Sequence, residues 1–128
     1  MIEVSQELST PLGSIVVNGG YESRFERVFA HFLGNFLTRG EIGAGVAVTL
    51  EGDTVVDLYG GFADLESRSR WTEKTMPVVW SSTKGATSIC LQNLAFRGIL
   101  DLDAPVSEYW PEYGVGDKSA TTVKMFLD

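Results

Sequence analysis

Ser81 and Lys84 stand three residues apart in the run Ser81-Ser82-Thr83-Lys84-Gly85. On a helix, residues at that spacing share a face with Cβ atoms about 5–6 Å apart, so a Ser-x-x-Lys pair can hydrogen-bond. Ser82 is two residues from Lys84, roughly 200° around the helix, and faces elsewhere. A serine hydroxyl is a weak nucleophile until a base takes its proton, and a lysine is such a base once burial or nearby cations disfavour its ammonium form. The apolar flanks Val78, Val79, Trp80 and Ile89 are the candidates for that burial. A helix N-terminus favours developing negative charge by about 0.3–1 kcal/mol, and the Ser81 N–H can serve as an oxyanion donor. The same pattern also arises by chance, with Ser81 or Ser82 as a simple N-cap and Lys84 as a solvated cation.

Other chemistry-bearing residues are few. His31 is the only histidine, so a Ser-His-Asp triad would have to use it, and nothing in the sequence places it near Ser81. Cys90 is the only cysteine, which excludes an internal disulfide and a cysteine-cluster metal site. Its place in the middle of an apolar helix suits a small core residue. Trp71, Trp80 and Trp110 are read first as core residues and second as pocket walls. Gly43-x-Gly45 and Gly60-Gly61 do not form a phosphate loop, because no GxxxxGK[ST] pattern occurs.

These groups need elements to position them. Residues 1–20 read as irregular, punctuated by Pro11, Gly13, Gly19 and Gly20. Phe25, Val28, Phe29, Phe32, Phe36 and Leu37 recur at spacings of three and four, which predicts a helix from Glu22 to Arg39 with Gly40 just past its end. Gly43–Leu50 and Thr54–Tyr59, joined by Glu51-Gly52-Asp53, predict a hairpin that Gly60-Gly61 ends or bends. Pro77-Val78-Val79-Trp80 reads as a short extended segment. The helix that carries the Ser-x-x-Lys unit then runs to about Gly98. Ala86, Ile89, Cys90, Leu91, Leu94 and Phe96 make it apolar on more than one face, which predicts burial on several sides. Thr121–Asp128 reads as an N-cap and a short apolar helix, an element cut off in its middle. The fold class expected is α+β: an N-terminal helix, an antiparallel β-hairpin, then the buried helix.

Composition sets the outer bounds. A chain of 128 residues fits one small domain. At 44% hydrophobic and 21% charged it is ordinary for a folded protein. Asp and Glu outnumber Lys and Arg by 17 to 10, with no basic stripe, which argues against nucleic acid and anionic membranes as partners. No apolar run is long enough to span a bilayer, and MIEVSQELSTPLGSIVV lacks a basic leader region. The expected location is cytoplasmic.

The run from Gly43 to Asp128 resembles the serine beta-lactamase-like family. That family includes class C beta-lactamases, D-alanyl-D-alanine carboxypeptidases and related carboxylesterases, and the esterase-type members are the nearest in pattern. The matching stretches are GAGVAVTLEGDTVVDLYGGFAD, RWTEKTMPVVWSSTKGATS, LAFRGILDLDAPVSEYWPEY and TTVKMFLD, in that order. The resemblance implies a beta-lactamase-like (serine transpeptidase-like) fold, in which a helical domain joins an antiparallel sheet flanked by helices. It implies that Ser81 forms an acyl-enzyme, that Lys84 transfers its proton, and that no cofactor is needed. The implied substrate is a small-molecule ester, ahead of a beta-lactam or peptide amide.

In that family a tyrosine of a Tyr-x-Asn or Tyr-x-Ser motif is the second base, and a Lys/His/Trp-x-Gly strand supplies the second oxyanion donor. Neither motif follows Lys84 here; Tyr109 and Tyr113 lack the pattern. The resemblance therefore implies that residues 1–128 form a single N-terminal fragment of the fold, a truncated serine hydrolase with little or no turnover alone. Exposed strand edges through which copies self-associate are implied as well. The alternative is a non-catalytic interaction module that needs a complementary chain.

Overall fold

Val4 and Leu8, then Ile15 and Val17, alternate along the first twenty residues with the period of a strand. In the computed structural model, which describes residues 1–127, they lie on β1 (Ile2–Thr10) and β2 (Gly13–Tyr21). The two strands pair antiparallel around Pro11-Leu12. Thr10 fixes that turn: its Oγ1 donates to the Gly13 carbonyl at 2.8 Å and accepts from the Leu12 N–H at 3.2 Å. The segment expected to be irregular is thus a hairpin, because its glycines lie within a strand instead of ending one.

The chain divides into two compact units, Met1–Pro77 and the residues from Val78 onward. In the first, a 3-10 turn leads into α1 (Glu26–Thr38). Glu26 in its first turn suits the helix dipole. Gly40, at φ 72°, ends the helix as expected, and the Glu41 N–H donates to the Asn35 carbonyl at 3.2 Å. The second hairpin joins β3 (Gly43–Leu50) to β4 (Asp53–Asp64). Glu51 and Gly52 both have positive φ, 53° and 94°, the geometry of a two-residue type I′ turn.

The sheet order is β1-β2-β4-β3, all antiparallel, and the short β5 (Ser69–Arg70) pairs with the far end of β4. Arg68 and Arg70 lie over the Phe62 ring at 5.3 and 5.4 Å. Their guanidinium groups donate to the Leu12 and Ser14 carbonyls, which ties β5 to the β1–β2 hairpin. In the turn before β5, the Ser67 hydroxyl and then the Glu66 N–H hold the Asp64 carboxyl below the ordinary carboxylate range.

One face of this sheet packs on α1. Leu8, Ile15, Val17, Tyr21, Val56, Leu58 and Phe62 meet Phe32 and Phe36 in one buried cluster. Tyr21 stacks on Phe29 at 4.7 Å, and Phe32 meets Phe36 edge to face at 5.3 Å. Each such aromatic contributes about 1.5–3 kcal/mol by burial. Gly60-Gly61 bends β4 without ending it. Gly61 has φ 86°, and a Cβ there would sit 2.3 Å from the Ile42 carbonyl oxygen and 2.8 Å from the Phe36 ring.

The second unit is helical. A 3-10 turn (Trp80–Ser82) opens into α2 (Thr83–Phe96). Two short helices follow, α3 (Val106–Tyr109) and α4 (Val123–Leu127). A small core of Ala104, Val106 and Val123 is held by backbone bonds, among them Val106 N–H to Thr121 O at 2.8 Å and Val123 N–H to Ala104 O at 3.0 Å. Thr122 caps α4 through the Met125 N–H at 3.2 Å, as its sequence predicts; Asp128 lies outside the described residues.

One expectation is corrected here. α2 was expected to be buried on several sides, and it has no buried residue: Ile89 is 69% and Phe96 92% exposed. Its apolar residues are spread around the axis, and the short elements of its own unit are too small to cover them. Cys90 is exposed with them.

Alanine at Gly61 must move either the Ile42 carbonyl or Phe36 and must also adopt a left-handed φ. Gly61→Ala is expected to lower the unfolding free energy by about 2–4 kcal/mol, read by urea denaturation followed by tyrosine and tryptophan fluorescence.

Candidate active site

The chain enters α2 through a strained residue. Val79 has φ −94° and ψ 1°, so Pro77–Trp80 is not the extended segment expected from its apolar run. Trp80 then sits at φ 48°, in the left-handed region where a bulky side chain is an outlier. Nothing in the amino-acid pattern announces that conformation, and sequence reasoning missed it. It turns the backbone sharply immediately before Ser81. The Ser82 N–H closes the turn on the Val79 carbonyl at 3.1 Å. The Ser81 N–H has no hydrogen-bond acceptor among the described residues.

Ser81 and Lys84 are brought together. Lys84 Nζ donates to Ser81 Oγ at 3.3 Å. Ser82 stands at the N-cap of α2 with φ −62° and ψ −20°, and its side chain makes no capping bond. Neither serine therefore acts as a cap, and of the two it is Ser81 that Lys84 meets. Gly85 follows with no atom near the position a Cβ would take, so the first turn of α2 is open beside the pair.

The surroundings differ from those expected. Val78, Val79, Trp80 and Ile89 are exposed, Trp80 by 82%, so they do not bury the pair. Lys84 lies at one end of a cavity of about 430 Å³, which continues along α2 past Thr87, Ser88 and Leu91 and is closed on its other side by Phe126 and Leu127. The two tyrosines downstream are engaged elsewhere. The Tyr109 hydroxyl accepts from the Asp101 N–H at 2.9 Å, and Tyr113 packs edge to face on Phe126 at 5.4 Å.

The remaining candidates lie apart from this pair in the sequence and in different settings. His31 is exposed on α1, beside a groove of about 390 Å³ between α1 and β3. Trp71 is half-buried in the first unit and lines an open cleft of about 630 Å³ with Val16, Asn18, Tyr59 and Arg70. Trp110 is exposed. None of the three tryptophans expected first in a core lies in one; Trp71 packs against the β3 backbone at Gly43 and Gly45 and takes the second role expected of it, a pocket wall. Among the described residues no cluster of His, Cys, Asp or Glu could hold a metal ion, and no helix is long and apolar enough to cross a membrane.

Comparison with known proteins gives a consistent set of matches. Residues 25–128 match the family model described as Beta-lactamase. The chain is 40% identical over 108 residues to the esterase/beta-lactamase LipL of Mycobacterium tuberculosis, covering 84% of this chain and 25% of that protein. It superimposes on the crystal structure of a family VIII carboxylesterase with a TM-score of 0.76 and 36% identity, over 83% of this chain and 29% of that one. A penicillin-binding protein homologue from Caulobacter crescentus gives a TM-score of 0.77 at 36% identity, over 84% and 29%. The chain thus spans about a quarter of the length of the mycobacterial relative.

The strain at Trp80 has a measurable signature. A left-handed L-residue costs about 1–2 kcal/mol, and glycine removes most of that cost while alanine keeps it. Trp80→Gly is expected to be more stable than Trp80→Ala by about 1 kcal/mol in urea denaturation; equal stabilities would show that the turn carries no strain.

Proposed function

The chain belongs to the beta-lactamase family, and on that premise we propose that it carries the acyl-accepting half of a serine hydrolase site. The observation that carries this reading is the Lys84 Nζ to Ser81 Oγ hydrogen bond of 3.3 Å. It sets a potential base on the hydroxyl it would have to deprotonate. The substrate proposed is a small-molecule ester, with a beta-lactam second. The matched proteins described as an esterase/beta-lactamase and as a carboxylesterase support that order.

The chemistry runs in two halves. In the proposed acylation Lys84 Nζ accepts the Ser81 proton while Oγ bonds to the ester carbonyl carbon, and the carbonyl electron pair moves onto oxygen. The Ser81 N–H, which has no acceptor among the described residues, donates to that oxyanion. Collapse breaks the bond to the alcohol, which leaves with the proton from Lys84. Water then adds to the acyl carbon as Lys84 Nζ takes its proton, and Ser81 Oγ departs with that proton returned by Lys84. A second base and a second oxyanion donor would each add orders of magnitude. Tyr109 and Tyr113 are committed to other contacts, so a polypeptide of these 128 residues is proposed to acylate slowly and to turn over poorly.

The uncovered faces of α2 favour a second reading, in which the chain is an interaction module completed by another polypeptide. The two readings separate on the serine itself.

Incubation with a fluorophosphonate ester, read by intact mass, is expected to give one adduct. Ser81→Ala should abolish it and Lys84→Ala should slow it at least about a hundredfold. Absence of an adduct on a chain that is folded by circular dichroism would remove the hydrolase reading and leave the interaction module.

A further inference from the structure

The sheet face turned away from α1 carries the cleft of about 630 Å³, and three strands build it. Val17, Leu58 and Val46 face the core, so their neighbours Asn18, Tyr59 and Gly45 face the other way. These three lie side by side, because Tyr59 pairs with Asn18 on β2 and with Gly45 on β3. Glycine at 43 and 45 leaves β3 bare on this face, and the Trp71 indole takes the space. A Cβ at Gly43 would stand 2.8 Å from its Cε3, and one at Gly45 3.6 Å from its Nε1. The Trp71 backbone N–H donates to the Gly61 carbonyl at 2.9 Å, which anchors the residue beside Tyr59. Both rings are half-buried and line the cleft.

The rim of this aromatic platform is polar, formed by Arg70, Thr72 and Glu73. Arg70 is steadied by the Ser14 carbonyl at 3.0 Å, and the Thr72 hydroxyl accepts from the Lys74 N–H at 3.3 Å. Asn18 Oδ1 accepts from the Ser5 hydroxyl at 3.1 Å, which leaves its amide hydrogens to donate. Arg70 and Glu73 do not pair with each other; the one ion pair among the described residues is Arg24 with Glu22. Every wall belongs to the unit Met1–Pro77, which does not contain the serine–lysine pair. Val16 and Asn18 also precede residue 25, where the family match begins.

We propose that this cleft binds a neutral saccharide, a chain of pyranose rings with equatorial hydroxyls. Such a ring presents flat faces of C–H groups, whose weak positive charge suits the negative face of an indole or a phenol. Its edge is a row of hydroxyls that both donate and accept, and the rim offers both kinds of partner. An apolar ligand would leave those polar groups unmatched. A charged ligand of either sign would meet one like and one unlike charge, and the net charge of −7 disfavours an anion further.

Titration calorimetry of the chain with cellohexaose, a neutral β-linked glucose hexamer, tests the proposal. Binding is expected to saturate below about 10 mM, with the same affinity at low and high salt. Trp71→Ala should weaken it at least about tenfold, and Glu73→Ala about fivefold with unchanged circular dichroism. His31→Ala, beside the groove on the opposite face, should bind like the unaltered chain. Absence of saturation overturns the proposal. So does binding that salt weakens, binding that both Trp71→Ala and Glu73→Ala retain in full, or binding that His31→Ala loses. Should Trp71→Ala fail to fold, Glu73→Ala compared with His31→Ala still decides, since Glu73 is exposed.

Discussion

The first unit depends on how closely three other segments approach β4 where it bends. A Cβ at Gly60 would stand 2.6 Å from the Val16 carbonyl oxygen, and one at Gly61 2.3 Å from that of Ile42. β2 and β3 therefore reach β4 from opposite sides at the same two residues, and the Phe36 ring closes over them from α1. Leu58 and Val56 continue the core from that point in one direction, and Phe62 in the other. Past the bend, Phe62 becomes the surface on which Arg68 and Arg70 lie, so the tie between β5 and the first hairpin also follows from it.

Much of this was legible in the amino-acid pattern, and the exceptions have physical causes. The spacing of Phe25, Phe29, Phe32 and Phe36 placed α1 and its end at Gly40. The Glu51-Gly52 pair placed the second hairpin. The first hairpin escaped because Gly19 and Gly20 read as breaks, while in the sheet they are strand residues paired with Leu58 and Asp57. Their period-two neighbours Val4, Leu8, Ile15 and Val17 carried the signal. α2 shows the opposite limit. Its residues declare that it is apolar on more than one face, but no pattern within a helix says which segment covers it, and among the described residues none of its side chains is buried.

The Ser-x-x-Lys unit was legible as a spacing and became a contact: one helical turn brings Lys84 Nζ to Ser81 Oγ. What spacing could not show is the backbone before it. The left-handed Trp80 makes Ser81 the first residue after a sharp reversal, and as part of the opening turn of α2 its N–H has no acceptor among the described residues. Strain of this kind persists only where surrounding structure holds it, and here it lies beside the residue pair with the clearest chemical capacity in the chain.

The sheet order carries a kinetic consequence. β1 with β2 and β3 with β4 are each joined by a two-residue turn, so both hairpins can close locally and early. The pairing of β2 with β4 is of another kind: Tyr21 meets Val56 only after all of α1 and β3 have been laid down between them. That step carries the loop-closure entropy of the unit, and its return comes only when the α1 aromatics settle onto both hairpins at once. Folding of this unit is therefore governed by a single docking event, and the half-sheets that precede it are the species whose apolar faces stand open to solvent.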